Sequence, residues 1–334
     1  MLLSFTLENY RSFANEATLD MQASSFRTLR PRDGQSWDDV VLKRAAILGA
    51  NASGKSNLIK PLGLLRQAIN YSLRDDRLVK KLYDPHRMYV GKTATFIVEY
   101  VFEDIRYRWT LVLGSNGVVQ ELLEANAKRV WRLVFERDQE TISFSASSGI
   151  LKAARENIEQ FLKPSTLCLS AWLTIKNPGD FIGAATWWQQ SILPVIHCSD
   201  DDRNLRHEWV KRLTKNNLGW LELMKLVISS ADVGVVDVSV QEDVLPEELR
   251  PLHIKINRDD RSVEISDELP EDAPFDEYMR YLEFHHVNAD GDFVLKEQDE
   301  SLGTQVWIDY IIPALYALYN GALLIVDELD SSLH

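Results

Sequence analysis

Cysteine is nearly absent from this chain of 334 residues, with Cys168 and Cys198 its two examples. A disulfide framework is thereby excluded, no metal-ligand spacing is present, and a reducing cytoplasm is the expected compartment. Long apolar runs are also missing. No stretch is long enough to span a bilayer, so no membrane partner is expected. The opening Met1-Leu-Leu-Ser-Phe-Thr-Leu-Glu8 has no basic region before an apolar run, and no signal peptide is read there. An overall excess of positive charge is lacking too. The net charge is −13, which argues against a global footprint for nucleic acid.

That negative charge has one address. Between Glu242 and Glu300 stand 19 Asp or Glu against 6 Lys or Arg, and the remainder of the chain is balanced at 31 of each. The segment reads as a solvated surface. Its other reading is a dock for a basic partner, carried by Asp259, Asp260, Asp267, Glu268, Glu271 and Asp272. The chain is otherwise 45% hydrophobic and 10% aromatic, enough for a large core. Its length suggests two lobes.

What is there begins with Gly49-Ala-Asn51-Ala52-Ser53-Gly54-Lys55-Ser56, which satisfies G-x-x-x-x-G-K-[ST] at every fixed position. Ala45–Leu48 before it reads as a short buried strand, and a helix is expected from about Ser56 to about Leu73. Glycines let successive N–H groups converge on phosphate oxygens, and the helix start adds partial positive charge. In that pattern Lys55 reaches the β- and γ-phosphates and Ser56 holds Mg²⁺, with Asn57 next in line. The second informative place is Gly321-Ala-Leu-Leu-Ile-Val-Asp327-Glu328, an apolar strand ending in two carboxylates. Asp327 there joins the Mg²⁺ shell and Glu328 orients and deprotonates the attacking water.

The remaining pattern is coarse. Leu3–Leu7 and Ala17–Met21 alternate as a hairpin, and Ser24–Asp39 reads as a loop. Thr95–Phe102, Tyr107–Leu113 and Arg129–Phe135 read as an antiparallel meander, with a turn at Gly114-Ser-Asn-Gly117. Helices are expected over Ala153–Leu162, Glu208–Ser229 and Val306–Tyr319, and strands over Val233–Val240, His253–Ile256 and Tyr281–Phe284. Trp187 and Trp188 read as core. His285 and His286, adjacent on a strand, point to opposite faces and make no metal pair.

Taken together, Asn9-Tyr-Arg-Ser-Phe13, the P-loop, Asp299-Glu-Ser301-Leu-Gly303-Thr304, the acidic strand end and the tail Leu329-Asp330 resemble ABC-type ATPases of the RecF, SMC and OLD group. The likeness is greatest to the prokaryotic family that includes OLD-type and abortive-infection proteins. It covers nearly the whole chain in order. The resemblance implies an α/β ABC-ATPase-like fold with a mixed sheet, an antiparallel β subdomain and a helical lobe. Its expected divisions are 1–140 for the ATPase lobe, 141–295 for the helical lobe with its acidic insert, and 296–334 for the signature helix, Walker B strand and D-loop. It also implies that Ser301 and Gly303 close on ATP held by a second protomer, with Asp330 at the same interface.

The implied function is an ATP-hydrolysing dimer, or higher oligomer, acting as a switch in phage defence. A separate nuclease or toxin would be the effector, and DNA or a phage protein the trigger. A RecF-like repair ATPase and an ATP-bound scaffold with little hydrolysis stay open as alternatives. Two departures stand out. No Q-loop glutamine is evident near Asp84–Tyr89, with Gln120, Gln189 and Gln190 unplaced, and no switch histidine follows the D-loop, where His334 stands. The ATPase lobe is therefore expected to be completed by further chain or by another polypeptide.

Overall fold

The structure is a computed structural model that describes residues 1–193, 200–230, 234–244, 253–256, 263–266, 278–288 and 291–327. It falls into two units. The first comprises Met1–Val195 with Leu315–Asp327, and the second Ile196–Ala314 with Glu328–His334.

The first unit is built on a seven-stranded sheet. Its strands are β1 (Leu2–Glu8), β2 (Ala17–Asp20), β3 (Ala94–Phe102), β4 (Ile105–Gly114), β5 (Gly117–Asn126), β6 (Arg132–Asp138) and β7 (Thr141–Phe144). They lie in the order β2-β1-β3-β4-β5-β6-β7, and every neighbouring pair is antiparallel. The long strands alternate: Ala94, Phe96, Val98 and Tyr100 of β3 are buried, as are Tyr107, Trp109, Leu111 and Leu113 of β4. Helices α1 (Trp37–Val40), α2 (Lys55–Tyr71), α3 (Arg77–Leu82), α4 (Lys152–Phe161), α5 (Cys168–Trp172) and α6 (Gly183–Gln190) complete the unit. In α2 the residues Ile59, Leu62, Leu65, Ala68 and Ile69 form one buried face.

Trp187 and Trp188 of α6 are fully buried, as their aromatic neighbours demand. Trp187 stacks on Tyr100 at 4.2 Å between ring centroids and meets Trp188 edge-on at 5.1 Å. The Tyr100 hydroxyl donates to the Ala184 carbonyl at 2.7 Å, which resolves its burial.

β5 is the element that the sequence pattern hides. Its residues Gln120, Glu121 and Glu124 break the apolar alternation, yet Glu121 is fully buried. Its carboxylate accepts the Cys168 and Leu169 backbone N–H groups at 2.7 and 3.3 Å, capping α5, whose own N-cap Leu167 offers no side-chain bond. Trp109 Nε1 donates to it at 3.1 Å and Arg137 lies 3.6 Å away, also buried. Burial raises the Glu121 pKa, and the Arg137 charge opposes that rise.

Three further expectations need correction. Ala45–Leu48 is not a strand: it belongs to no ladder and Leu48 is 90% exposed. Leu323, in the expected Walker B strand, makes an isolated parallel bridge with Ile192. The mixed sheet is thus not formed among the described residues. The loop expected over Ser24–Asp39 ends in α1, opened by the Ser36 and Asp39 capping box.

The second unit contains α7 (Asp200–Asn216), α8 (Leu218–Ser230), β8 (Val235–Val244), β9 (His253–Ile256), β10 (Val263–Ser266), β11 (Tyr278–Asn288), β12 (Gly291–Lys296) and the start of α9 (Leu302–Asn320). β8, β11 and β12 form an antiparallel sheet with β11 in the centre, and β9 pairs with β10. Val210, Met224, Ile228, Val238, Leu282, Phe284, Ile308 and Ile312 form its core. The single helix expected over Glu208–Ser229 is two, because Asn217 interrupts it. Its side-chain oxygen accepts the Gly219 N–H at 3.0 Å and starts α8. The acidic residues Asp259, Asp260, Asp267, Glu268, Glu271 and Asp272 lie outside the described residues.

Candidate functional site

The P-loop motif becomes an exposed loop running into α2. Gly49, Asn51, Ala52 and Ser53 are open to solvent, and Gly54 occupies the N-cap position of the helix. Gly54 has φ +95, a conformation that favours glycine, and a Cβ there would stand 2.5 Å from Ser12 Oγ. A Cβ on Gly49 would stand 2.8 Å from Ser53 Oγ. Ala52 also takes a left-handed conformation, φ 64. Lys55 folds back over this loop, its Nζ donating to the Gly49 and Ala50 carbonyls at 2.8 and 3.0 Å. That contact closes the loop into a ring around the helix start. Gly54 supplies no side-chain cap, and the first intrahelical bond runs from Leu58 N–H to Gly54 O. The N–H groups of Lys55, Ser56 and Asn57 therefore precede the intrahelical ladder, at the end where the dipole favours an anion.

Ser56 Oγ donates to Asp327 Oδ1 at 3.0 Å. Asp327 is 9% exposed. The two motifs that the sequence separates by most of its length thus meet, and they meet through a hydroxyl and a carboxylate. Oxygen donors of this kind suit a hard divalent cation such as Mg²⁺. Glu328 and Asp330 lie outside the described residues.

The turn after β1, part of the Asn9–Phe13 motif, packs against the start of α2. Asn9 and Arg11 both have positive φ, 51 and 49. Ser12 Oγ accepts from Asn57 Nδ2 at 3.1 Å and also packs on Gly54. Arg11 Nη1 reaches Asn57 Oδ1 at 3.4 Å while its Nε bonds Asp84 at 2.9 Å. Asn9 in turn holds the 86–93 loop through the Tyr89, Lys92 and Thr93 carbonyls. Asparagine at a left-handed turn position was the available signal.

In the second unit Ser301 immediately precedes α9. Its Oγ accepts the Thr304 N–H at 3.1 Å, so it caps the helix as its residue type favours. Ser301 and Gly303 are both exposed. Of the unplaced glutamines, Gln120 on β5 bonds Glu136 at 3.3 Å, and Gln189 and Gln190 end α6 with exposed side chains. His286 is buried while His285 is half-buried, as opposite faces require.

A glycine-rich loop, a helix start without a side-chain cap, a lysine folded across the loop and a serine joined to a distant aspartate make the arrangement expected of a P-loop. In agreement, residues 44–167 match the family model described as "AAA domain, putative AbiEii toxin, Type IV TA system". The match takes in the loop, α2 and the β3–β6 meander, and it supports a P-loop ATPase of AAA/ABC-like type. No curated protein matches the chain. No helix among the described residues is long and apolar enough to cross a membrane.

Proposed function

We propose that the chain is an ATP-binding and ATP-hydrolysing switch that dimerises around nucleotide and controls a separate effector in anti-phage defence. The contact between Ser56 and Asp327 carries this reading, because it assembles a hydroxyl and a carboxylate beside an anion-binding loop. Gly49, Asn51, Ala52, Ser53, Gly54, Lys55, Ser56 and Asn57 would hold the triphosphate of ATP, and Ser56 with Asp327 would hold Mg²⁺. Held by Ser56 and Asp327, Mg²⁺ would supply neutralisation of phosphate charge. Lys55 would leave its two carbonyl partners for the phosphates, an exchange of neutral acceptors for charged ones. Glu328, next in sequence to Asp327, would be the base that deprotonates water.

In this reading Ser301, Gly303 and Asp330 act on ATP bound by a second protomer. Closure depends on the γ-phosphate, so its hydrolysis removes the difference in affinity that keeps the dimer closed. The description of the matched family supports a toxin–antitoxin or abortive-infection setting; the effector of this reading is a separate nuclease or toxin. Glu328→Gln tests the whole reading. It is expected to keep ATP binding, stall turnover and accumulate an ATP-loaded dimer visible by sedimentation. Turnover equal to the parent's would remove Glu328 from the mechanism, and an ATP-loaded monomer would remove the dimer.

A further inference from the structure

Two buried histidines grip the turn that carries Ser301. His286, on β11, places Nε2 2.7 Å from Glu300 Oε2, and its ring stacks on Phe293 at 5.0 Å with planes 6° apart. The other oxygen of Glu300 accepts the Ser301 backbone N–H at 2.8 Å and lies 3.3 Å from Thr304 Oγ1. His207, on α7, faces carboxylates with both ring nitrogens. Glu297 is 3.0 Å from Nδ1 and Asp309 is 2.9 Å from Nε2. One of those acids precedes Ser301 by a turn and the other follows it on α9. Lys211 adds a second cation to Glu297 at 3.2 Å, and Arg206 a second to Asp309 at 3.4 Å. His207, His286, Glu300, Thr304 and Asp309 are all buried, whereas Ser301 and Gly303 are exposed.

The hydroxyl protons follow from this arrangement. Thr304 Oγ1 has one proton and two acceptors in reach, the Glu300 carboxylate and Ser301 Oγ at 2.9 Å. The charged acceptor is the stronger. With its proton committed to Glu300, Thr304 Oγ1 only accepts from Ser301. Ser301 Oγ already accepts the Thr304 N–H. Its own proton is therefore that of a donor, shared with Thr304 at rest and available to an anion that comes closer. Glu300 itself is 9% exposed with both oxygens engaged, so its charge is turned inward.

We propose that His286, through Glu300 and Thr304, is a positioning residue that presents the Ser301 hydroxyl as an outward donor, with His207 fixing the flanks of the same turn. The ligand class is the terminal phosphate of a nucleotide on a second copy of this chain. This rests on the dimer reading above, and the test separates the two. The parent chain is compared with His286→Leu, His286→Gln, Thr304→Val and Ser301→Arg. Each is measured with Mg²⁺ and a slowly hydrolysed ATP analogue. Fluorescent-analogue titration at low protein concentration reads binding by a single protomer, and sedimentation velocity reads dimerisation.

Ser301→Arg is expected to abolish dimerisation. His286→Leu and Thr304→Val are expected to leave analogue affinity within about twofold and to weaken dimerisation about tenfold, the size of one lost charge-assisted bond. His286→Gln, which keeps a donor near the Nε2 position, is expected to recover most of it. A merely structural histidine would lower the thermal midpoint without this split between binding and dimerisation. Should His286→Leu fail to fold, the isosteric Thr304→Val carries the comparison. If Ser301→Arg blocks dimerisation while Thr304→Val and a folded His286→Leu dimerise like the parent, the positioning role is wrong and the dimer reading stands. If Ser301→Arg dimerises like the parent, both fall.

Discussion

The hydroxyl of Ser56 and the carboxylate of Asp327 meet at 3.0 Å across 271 positions of sequence. Ser56 is in the first turn of α2, and Asp327 follows the short segment that bridges to Ile192 through Leu323. Their contact is what makes two separate motifs into one site. Ser56→Ala and Asp327→Asn are each expected to reduce Mg²⁺-dependent ATP binding. Together they are expected to cost little more than the worse single change, with a coupling of about 1–3 kcal/mol. Calorimetric titration of the four proteins measures it, and strict additivity would mean that the two residues act apart.

The carboxyl group of Glu121 ties β5 to α5 and Arg137 inside the first unit. Glu121→Ala removes the cap of α5 and leaves the buried Arg137 without its carboxylate, though Arg137 keeps the Gln139, Thr166 and Lys163 carbonyls. The expected loss is about 3 kcal/mol or more. Urea denaturation read at Trp fluorescence gives the value. A loss under about 1 kcal/mol would show that the capping bonds are replaced by solvent.

The buried His207 gives the second unit a defined pH response. Burial alone would lower its pKa, but hydrogen bonds and charge from Asp309 and Glu297 outweigh that and raise it to about 9. The reciprocal effect appears at Glu297. Burial would raise that carboxyl, and His207 with Lys211 and the Leu282 N–H instead bring it down to about 2. For a raised base the stabilisation is full below its unfolded value of 6.5 and is lost as pH rises through about 9. For the depressed acid it is full above 4.5 and lost as pH falls through about 2. Thermal melts of the parent are expected to fall between pH 7 and 10, and His207→Gln is expected to start lower and flatten that slope. An unchanged slope in the variant would assign the alkaline loss to other groups.

Much of this was legible in the sequence where backbone geometry dictates residue type. Gly54 has φ +95 against Ser12, a conformation that favours glycine, so the P-loop announces itself. The alternating strands β1, β3 and β4 and the helix α2 follow from the same kind of rule, since one face of each is buried. β5 was illegible because its buried position 121 is a carboxylate whose partners, Cys168, Leu169 and Trp109, lie elsewhere in the chain. The break between α7 and α8 was missed although Asn216-Asn217 and Gly219 are residues that favour a cap or turn, because apolar residues resume at Leu218. Ala45–Leu48 misled in the opposite sense, since four apolar residues in a row specify no pairing partner. At the site, Lys55, Ser56 and Asp327 were readable as motif positions. Arg11 and Ser12 were readable only as part of the Asn9–Phe13 motif, because their contact with the site depends on that turn docking onto Asn57.

The measurement closest to the central claim is ATP binding by the parent and by Lys55→Ala, each with and without Mg²⁺. Lys55 is the one cation that bonds the loop carbonyls of Gly49 and Ala50 among the described residues, and its charge is what the phosphates would meet. The parent is expected to bind ATP more tightly with Mg²⁺. The variant is expected to bind at least about a hundredfold more weakly, the loss of two charge-assisted hydrogen bonds. An affinity in Lys55→Ala equal to that of the parent would contradict the assignment of this loop as the nucleotide site.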